Sequence, residues 1–205
     1  MHIVDGAVSL PVLVGGGLLA VGGVAIGLRR LSAERIPQVG LLSAAFFVAS
    51  LIHVPIGLSS THLVLNGLLG VVLGWAAFPA LLIALLLQAV LFGFGGILVL
   101  GLNTLNLAVP AVLCFYLCGP GIRNSSPQTA FAWGVLAGAL AIALSALAVA
   151  ASLAFSGDAF IAAAWLVLIS NIPVLVVEGL LTGATVVMVR KIKPELFSVP
   201  ARAWV

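Results

Sequence analysis

The chain has 205 residues, of which 63% are hydrophobic and 6% charged, with a formal charge of +3. A soluble domain carries about 25% charged residues, so an ordinary globular protein is excluded. The eight lysines and arginines are divided among loops and the C-terminal tail, which excludes a nucleic-acid-binding patch as well. At about 20 apolar residues per crossing, the length admits about six to eight membrane helices and no separate soluble domain. The 23 glycines suit helix backbones that approach closely in lipid.

In chain order, the first feature is Met1-His2. The terminal amine, the backbone amide of His2 and its imidazole lie within chelating reach of one another. Together they would close fused rings around one divalent transition metal, and nitrogen ligands in a plane suit Ni, Co or Cu. The amine titrates at roughly 7.7 to 8.0, so its proton is readily given up to a metal near neutrality. The bulky second residue is expected to protect Met1 from removal. The following stretch lacks a basic n-region, carries Asp5, and ends at Arg29-Arg30 without a small-residue cleavage site, so no signal peptide is expected.

Seven apolar segments follow, at about 8–28, 38–54, 62–76, 78–92, 105–118, 128–155 and 160–189. The third reaches only about 22 Å at 1.5 Å per residue, less than the roughly 30 Å hydrocarbon core. It is expected to start below the membrane surface, with Ser59 or Ser60 as N-cap just before His62. The stretch 92–104 contains Phe-Gly-Phe-Gly-Gly and reads as irregular, tolerable at depth only where protein or a wet cavity satisfies its backbone. Cys114 and Cys118, one helical turn apart, read as packing residues. Glu178 is the one carboxylate inside a span, and an intramembrane ionisable group is a functional candidate by default. Proton relay, interhelical bonding and contact with another subunit are the roles open to it, a structural one being favoured.

Orientation follows from the basic residues. Arg29, Arg30 and Arg35 follow the first segment, Arg123 the fifth, and Arg190, Lys191 and Lys193 the seventh, with Arg202 in the tail. An odd number of crossings puts all eight on one side, which predicts seven transmembrane helices with the N-terminus outside and the C-terminus cytoplasmic. Asp5, Asp158 and all three histidines, His2, His53 and His62, then converge on the outer face.

The chemistry these residues support is a nitrogen-only metal site: the Met1 amine, the His2 amide and imidazole, and one imidazole from the body. His62, at an expected helix start where the dipole disfavours imidazolium, is the better fourth ligand. His53 is a further ligand or a hydrogen-bonding neighbour. Asp5 is expected to hydrogen-bond a ligating nitrogen, to cap the first helix, or both. Ser60 is a neighbour of the site. Asn66, Asn103, Thr104 and Asn106 are expected to tie the irregular segment together, Asn103 remaining a possible contact of the metal site. No phosphate loop or catalytic Ser/Cys constellation occurs, so ATP that powers transport here is hydrolysed by another chain.

Met1-His2-Ile3-Val4-Asp5-Gly6, the run Phe46–Pro55, Ser59-Ser60-Thr61-His62 leading into Leu65-Asn66-Gly67-Leu68-Leu69-Gly70, and Leu102-Asn103-Thr104-Leu105-Asn106 resemble the cobalt/nickel substrate-capture (S) proteins of energy-coupling factor (ECF) transporters, the CbiM/NikM family. The likeness is dense over roughly the first 120 residues and mainly one of pattern beyond, with Val177-Glu178-Gly179 a weaker point. It implies an all-α polytopic membrane protein, residues 1–205 forming a single capture domain in a bacterial inner membrane. The N-terminal segment would be threaded inward to complete a square-planar site whose ligands are Met1, His2 and His62. Co(II) or Ni(II) would be the transported substrate, with no organic cofactor. The partners it implies are a membrane coupling (T) subunit, cytoplasmic ATPases and a small accessory membrane protein, besides lipid and without nucleic acid.

Two competing readings are an intramembrane enzyme and a passive or secondary metal channel using Glu178. The first fails on arrangement, because Ser60 and His62 are too close in sequence for a helix-to-helix dyad and no paired acid accompanies them. The expectation is a non-catalytic transport subunit.

Overall fold

The computed structural model describes residues 3–56 and 59–198, with the backbone alone at 53–56 and 59–62. Helices dominate: α1 (Leu10–Arg29), α2 (Ile36–Ala49), α3 (Asn66–Leu73), α4 (Ala77–Phe92), α5 (Leu100–Leu117), α6 (Gly119–Arg123), α7 (Pro127–Ala154), α8 (Ile161–Ser170), α9 (Ile172–Ile192) and α10 (Glu195–Ser198). A two-stranded antiparallel hairpin, β1 (His53–Ile56) and β2 (Ser59–His62), interrupts them between α2 and α3. Among the described residues, five stretches are long and apolar enough to cross a membrane: Leu10–Arg29, Asn66–Phe92, Leu100–Leu117, Pro127–Ala154 and Asp158–Ile192. The protein is a polytopic, all-α membrane protein.

Prolines start several of these helices, since a residue without an N–H loses nothing in the first turn; Pro11, Pro127 and Pro173 stand there in α1, α7 and α9. Pro173 also separates α8 from α9. The expected continuous helix over 160–189 is broken at Asn171, whose side chain donates back to the Val167 carbonyl at 2.7 Å. The irregular stretch is shorter than the glycines suggest, because α5 begins at Leu100 rather than near 105.

Asn66–Phe92 does not run in one direction. Asn66 meets Leu107, Gly70 meets Ala111 and Gly74 meets Phe115, so α3 descends alongside α5. Ser43 donates to the Ala80 carbonyl and Gln88 to Ser50 Oγ, so α4 ascends alongside α2. The reversal falls at Gly74, whose φ of +57° is ready for glycine and costly for other residues.

Close helix contacts come from small residues. Gly134 and Gly138 of α7 face Gly183, Thr182 and the Glu178 carbonyl of α9, one Gly-x-x-x-Gly ladder against another. This antiparallel pair is the broad wall against which α3 packs, Gly67 lying on the Ala137 carbonyl.

The contacts divide the molecule into two ends. At one, Asp5 reaches Gly95 and Val99, and Ser9 donates to Ser156 Oγ at 3.0 Å. At the other, Arg35 donates to the Val72 carbonyl at 3.2 Å, Arg30 lies over Trp75, Arg123 lies over Phe115, and Arg190 donates to the Ser125 carbonyl at 3.1 Å. Burial draws the Arg35 guanidinium down to about 10, still a cation at neutral pH.

Candidate metal centre

The N-terminal segment is held on both sides of its backbone. Ile3 is 3% exposed. Its N–H donates to Asn103 Oδ1 at 3.1 Å, and Asn103 Nδ2 donates to its carbonyl at 2.9 Å. One amide side chain thus satisfies both polar groups of a buried residue, groups that would otherwise be costly to bury. Two residues on, the Asp5 N–H donates to the Gly95 carbonyl at 3.1 Å and Asp5 Oδ1 accepts from the Val99 N–H at 3.1 Å. Val99 is the N-cap residue of α5, so Asp5 caps α5, where the helix dipole favours a carboxylate. It does not cap α1 as expected: Ser9 is the N-cap there, and it makes no side-chain cap bond. Gly96 has φ +141°, and a Cβ at that position would collide with the Asp5 carboxyl.

The second arm of the site is the hairpin. Its register sets His53 opposite His62, Val54 opposite Thr61, and Pro55 opposite Ser60. The expectation of a helix beginning at His62 with a Ser59 or Ser60 cap is therefore corrected, as is a second helix running to residue 54. Helix α2 ends at Ala49 and α3 begins at Asn66. Ser, Thr and His are indifferent helix formers that readily take other backbone partners, and the Ser-Ser-Thr-His run pairs with His53–Ile56 instead. The N-cap of α3 is Leu65, at φ +52° the one non-glycine residue with positive φ among those described.

What replaces the serine cap is Glu178. It is fully buried. Its Oε1 accepts from the Val64 N–H and, at 3.0 Å, from the Leu65 N–H, which Oε2 also accepts at 3.0 Å. Asn66 then fastens the first turn of α3, donating to the Leu107 carbonyl at 3.2 Å and to Ser145 Oγ at 2.8 Å.

The two arms converge. Asn103 holds Ile3 and the Leu107 carbonyl holds Asn66, and these two positions are one turn apart on α5, about 6 Å along its axis. The residue just after His2 and the residue four positions after His62 therefore rest on consecutive turns of one helix. Met1 and His2 lie outside the described residues, as do the side chains of His53, Ser60 and His62. Among the described residues, no three His, Cys, Asp or Glu side chains gather as a metal-binding group. Two carboxylates, Asp5 and Glu178, flank the convergence, whereas Arg30, Arg35, Arg123 and Arg190 belong to the opposite end. Keeping these arginines away from the arms favours a cation between them.

Of the remaining polar candidates, Thr104 donates within its own helix to the Leu100 carbonyl at 2.8 Å, and Asn106 donates to Ser152 Oγ at 3.4 Å, tying α5 to α7. Cys114 and Cys118 are buried free thiols within the core, as expected for packing residues. Ser145 and Gly96 gave no advance signal. One is a small residue in a 28-residue apolar helix and the other a glycine among glycines.

Comparison with known proteins gives a consistent set. The family model described as "Cobalt uptake substrate-specific transmembrane region" (CbiM) matches residues 2–196. A Haemophilus influenzae protein assigned by inference to metal transport is 42% identical over 203 residues, covering 97% of each chain. A Rhodobacter capsulatus fused nickel transport protein, NikMN, is 45% identical over 83 residues, 40% of this chain and 24% of that one. A solved structure described as a truncated transition metal transporter superposes with a TM-score of 0.71 at 24% identity, over 95% of this chain and 99% of that one, and shares the fold.

Proposed function

Because the chain belongs to the CbiM family of cobalt-uptake transmembrane proteins, we propose that it is the substrate-capture subunit of an ATP-driven ECF importer for divalent cobalt or nickel. The relatives named for cobalt and nickel transport support the substrate class. In this reading residues 1–205 act as one capture domain in a bacterial inner membrane. Seven membrane segments carry the chain from an outward N-terminus to a cytoplasmic, arginine-rich end. The partners are a membrane coupling subunit, cytoplasmic ATPases and a small accessory membrane protein. The fusion of two units in a nickel transport relative supports a membrane partner of that kind.

The cargo is held by the Met1 amine, the His2 amide and imidazole, and the His62 imidazole. His53, opposite His62 in the hairpin register, is its neighbour, and Ser60 and Asp5 complete the surroundings. The observation that carries this reading is the convergence of the Ile3 and Asn66 backbones on adjacent turns of α5. A chelate split between two chain segments needs both held before the ion arrives, and each is held by an asparagine. Asn103 serves here as the anchor of the N-terminal arm rather than as a ligand.

Reconstitution tests the coupling. Liposomes holding this chain with its coupling subunit and ATPases should accumulate labelled Co(II) or Ni(II) only when ATP is supplied on the ATPase side. Equal uptake by this chain alone without ATP would contradict the proposal.

A further inference from the structure

The bend from β2 into α3 places a non-glycine residue, Leu65, in the left-handed region at φ +52°. Such a conformation is sparsely populated by residues with a Cβ and persists where the surroundings over-determine it. Here the over-determining group is Glu178, 113 residues away, whose Oε1 takes both the Val64 and the Leu65 amides. Glu178 is itself rigidly seated. A Cβ on Gly138 would meet its carbonyl, and Gly179 sits against Val135, so the interlocked backbones of α7 and α9 fix where the carboxylate stands. On the other side of the bend, one residue, Leu63, separates Val64 from His62.

We propose that Glu178 is a positioning residue of the metal centre: its carboxylate acts by reach, holding the Val64 and Leu65 amides so that the arm bearing His62 is formed before the metal arrives. The inference rests on the reading of His62 as a ligand. It assigns Glu178 neither proton relay nor contact with another subunit. Among the described residues its carboxylate is bonded to the backbone amides of Val64 and Leu65, which do not titrate, and the residue is fully buried.

Reach and charge separate by substitution. Glu178→Gln keeps the length and an acceptor oxygen in the place of Oε1, which serves both amides once the Nε2 that replaces Oε2 turns away from the Leu65 N–H, and it loses the charge. Glu178→Asp keeps the charge and withdraws by one methylene. The test is Ni(II) titration of the full chain in detergent, free of any N-terminal tag, with amide exchange at Val64 and Leu65 followed in the metal-free state. Glu178→Gln should bind near the wild-type level with both amides protected. Glu178→Asp should lose about tenfold or more in affinity, the scale on which partners of ligands act, with both amides exchanging faster.

The reverse order, an equal loss in the two variants, or wild-type behaviour of both would overturn the proposal. If Glu178→Asp does not fold, Glu178→Gln decides alone, and a loss of about tenfold or more in it overturns the proposal. His62→Ala run in parallel separates the two levels of inference. Wild-type binding by His62→Ala sinks the ligand assignment itself. Lost binding by His62→Ala with flat Glu178 variants sinks only the role of Glu178.

Discussion

Asn103 satisfies both backbone groups of Ile3 with a single amide, in a setting where water does not compete. Asn103→Leu keeps the volume and leaves an N–H and a carbonyl orphaned, at about 1–3 kcal/mol for each group. The expected result is a lower melting temperature together with a ten- to hundredfold weaker Ni(II) affinity, roughly what losing a supporting partner costs a metal site. A lower melting temperature with unchanged affinity would show that the N-terminal arm is not organised through Ile3. At this scale the sequence is legible where chemistry is local. Met1-His2 offers three nitrogens within two residues, so the proposed chelator is read from adjacency alone, both residues lying outside those the structure describes. The Glu178 clamp is the opposite case, since its partners are backbone amides more than a hundred positions away and nothing in the types of Val64 or Leu65 marks them. Asp5 was legible as a capping carboxylate, but the helix it caps is α5 and not the one it precedes.

The elements show a similar division. Hydropathy finds α1, α4, α5 and α7 to within a few residues, because an apolar helix in lipid needs length and little else. It fails between residues 50 and 74, where a hairpin and a short buried helix replace two longer segments. Apolar content alone does not distinguish a strand from the start of a helix; Pro55 disfavours helix at the residue before it, and Ser-Ser-Thr-His pairs with His53–Ile56. Helix α3 is short and buried along its whole length, so its register is set by its contacts. A Cβ on Gly70 would overlap the Ala111 carbonyl. Gly70→Ala must push α3 off α5, costing about 1–3 kcal/mol by overpacking, and must draw Asn66 away from Leu107. Metal affinity should fall in this variant although residue 70 lies eight positions beyond the hairpin. Gly40→Ala, where a Cβ meets nothing within 4 Å, is the matched control and should change neither quantity. Equal affinity in the two variants would mean that α3 does not transmit its position to the site.

Across the whole molecule, charge and site separate to opposite ends. Arg30, Arg35, Arg123 and Arg190 gather where α1, α3, α5 and α9 finish, and the N-terminal arm docks where α5 begins and α7 finishes. This polarity suits a subunit that receives a cation on one face of a membrane and engages its partners on the other. The planar nitrogen site proposed above could not be selective for cobalt through affinity alone, since affinity for such ligands rises from Co to Ni to Cu. Competition between Co(II) and Ni(II) on the isolated chain should therefore show one shared site with nickel no weaker, and strong exclusion of nickel would contradict the ligand set. The central claim, that the chain's own terminus is part of the chelate, has a more direct test. Metal content is measured on purified chain beginning at Met1 and on a variant carrying one additional residue before Met1, with melting of the metal-free forms as the control for folding. The extended variant should melt like the parent and retain no tightly bound Co(II) or Ni(II). Equal metal content in the two would contradict the account.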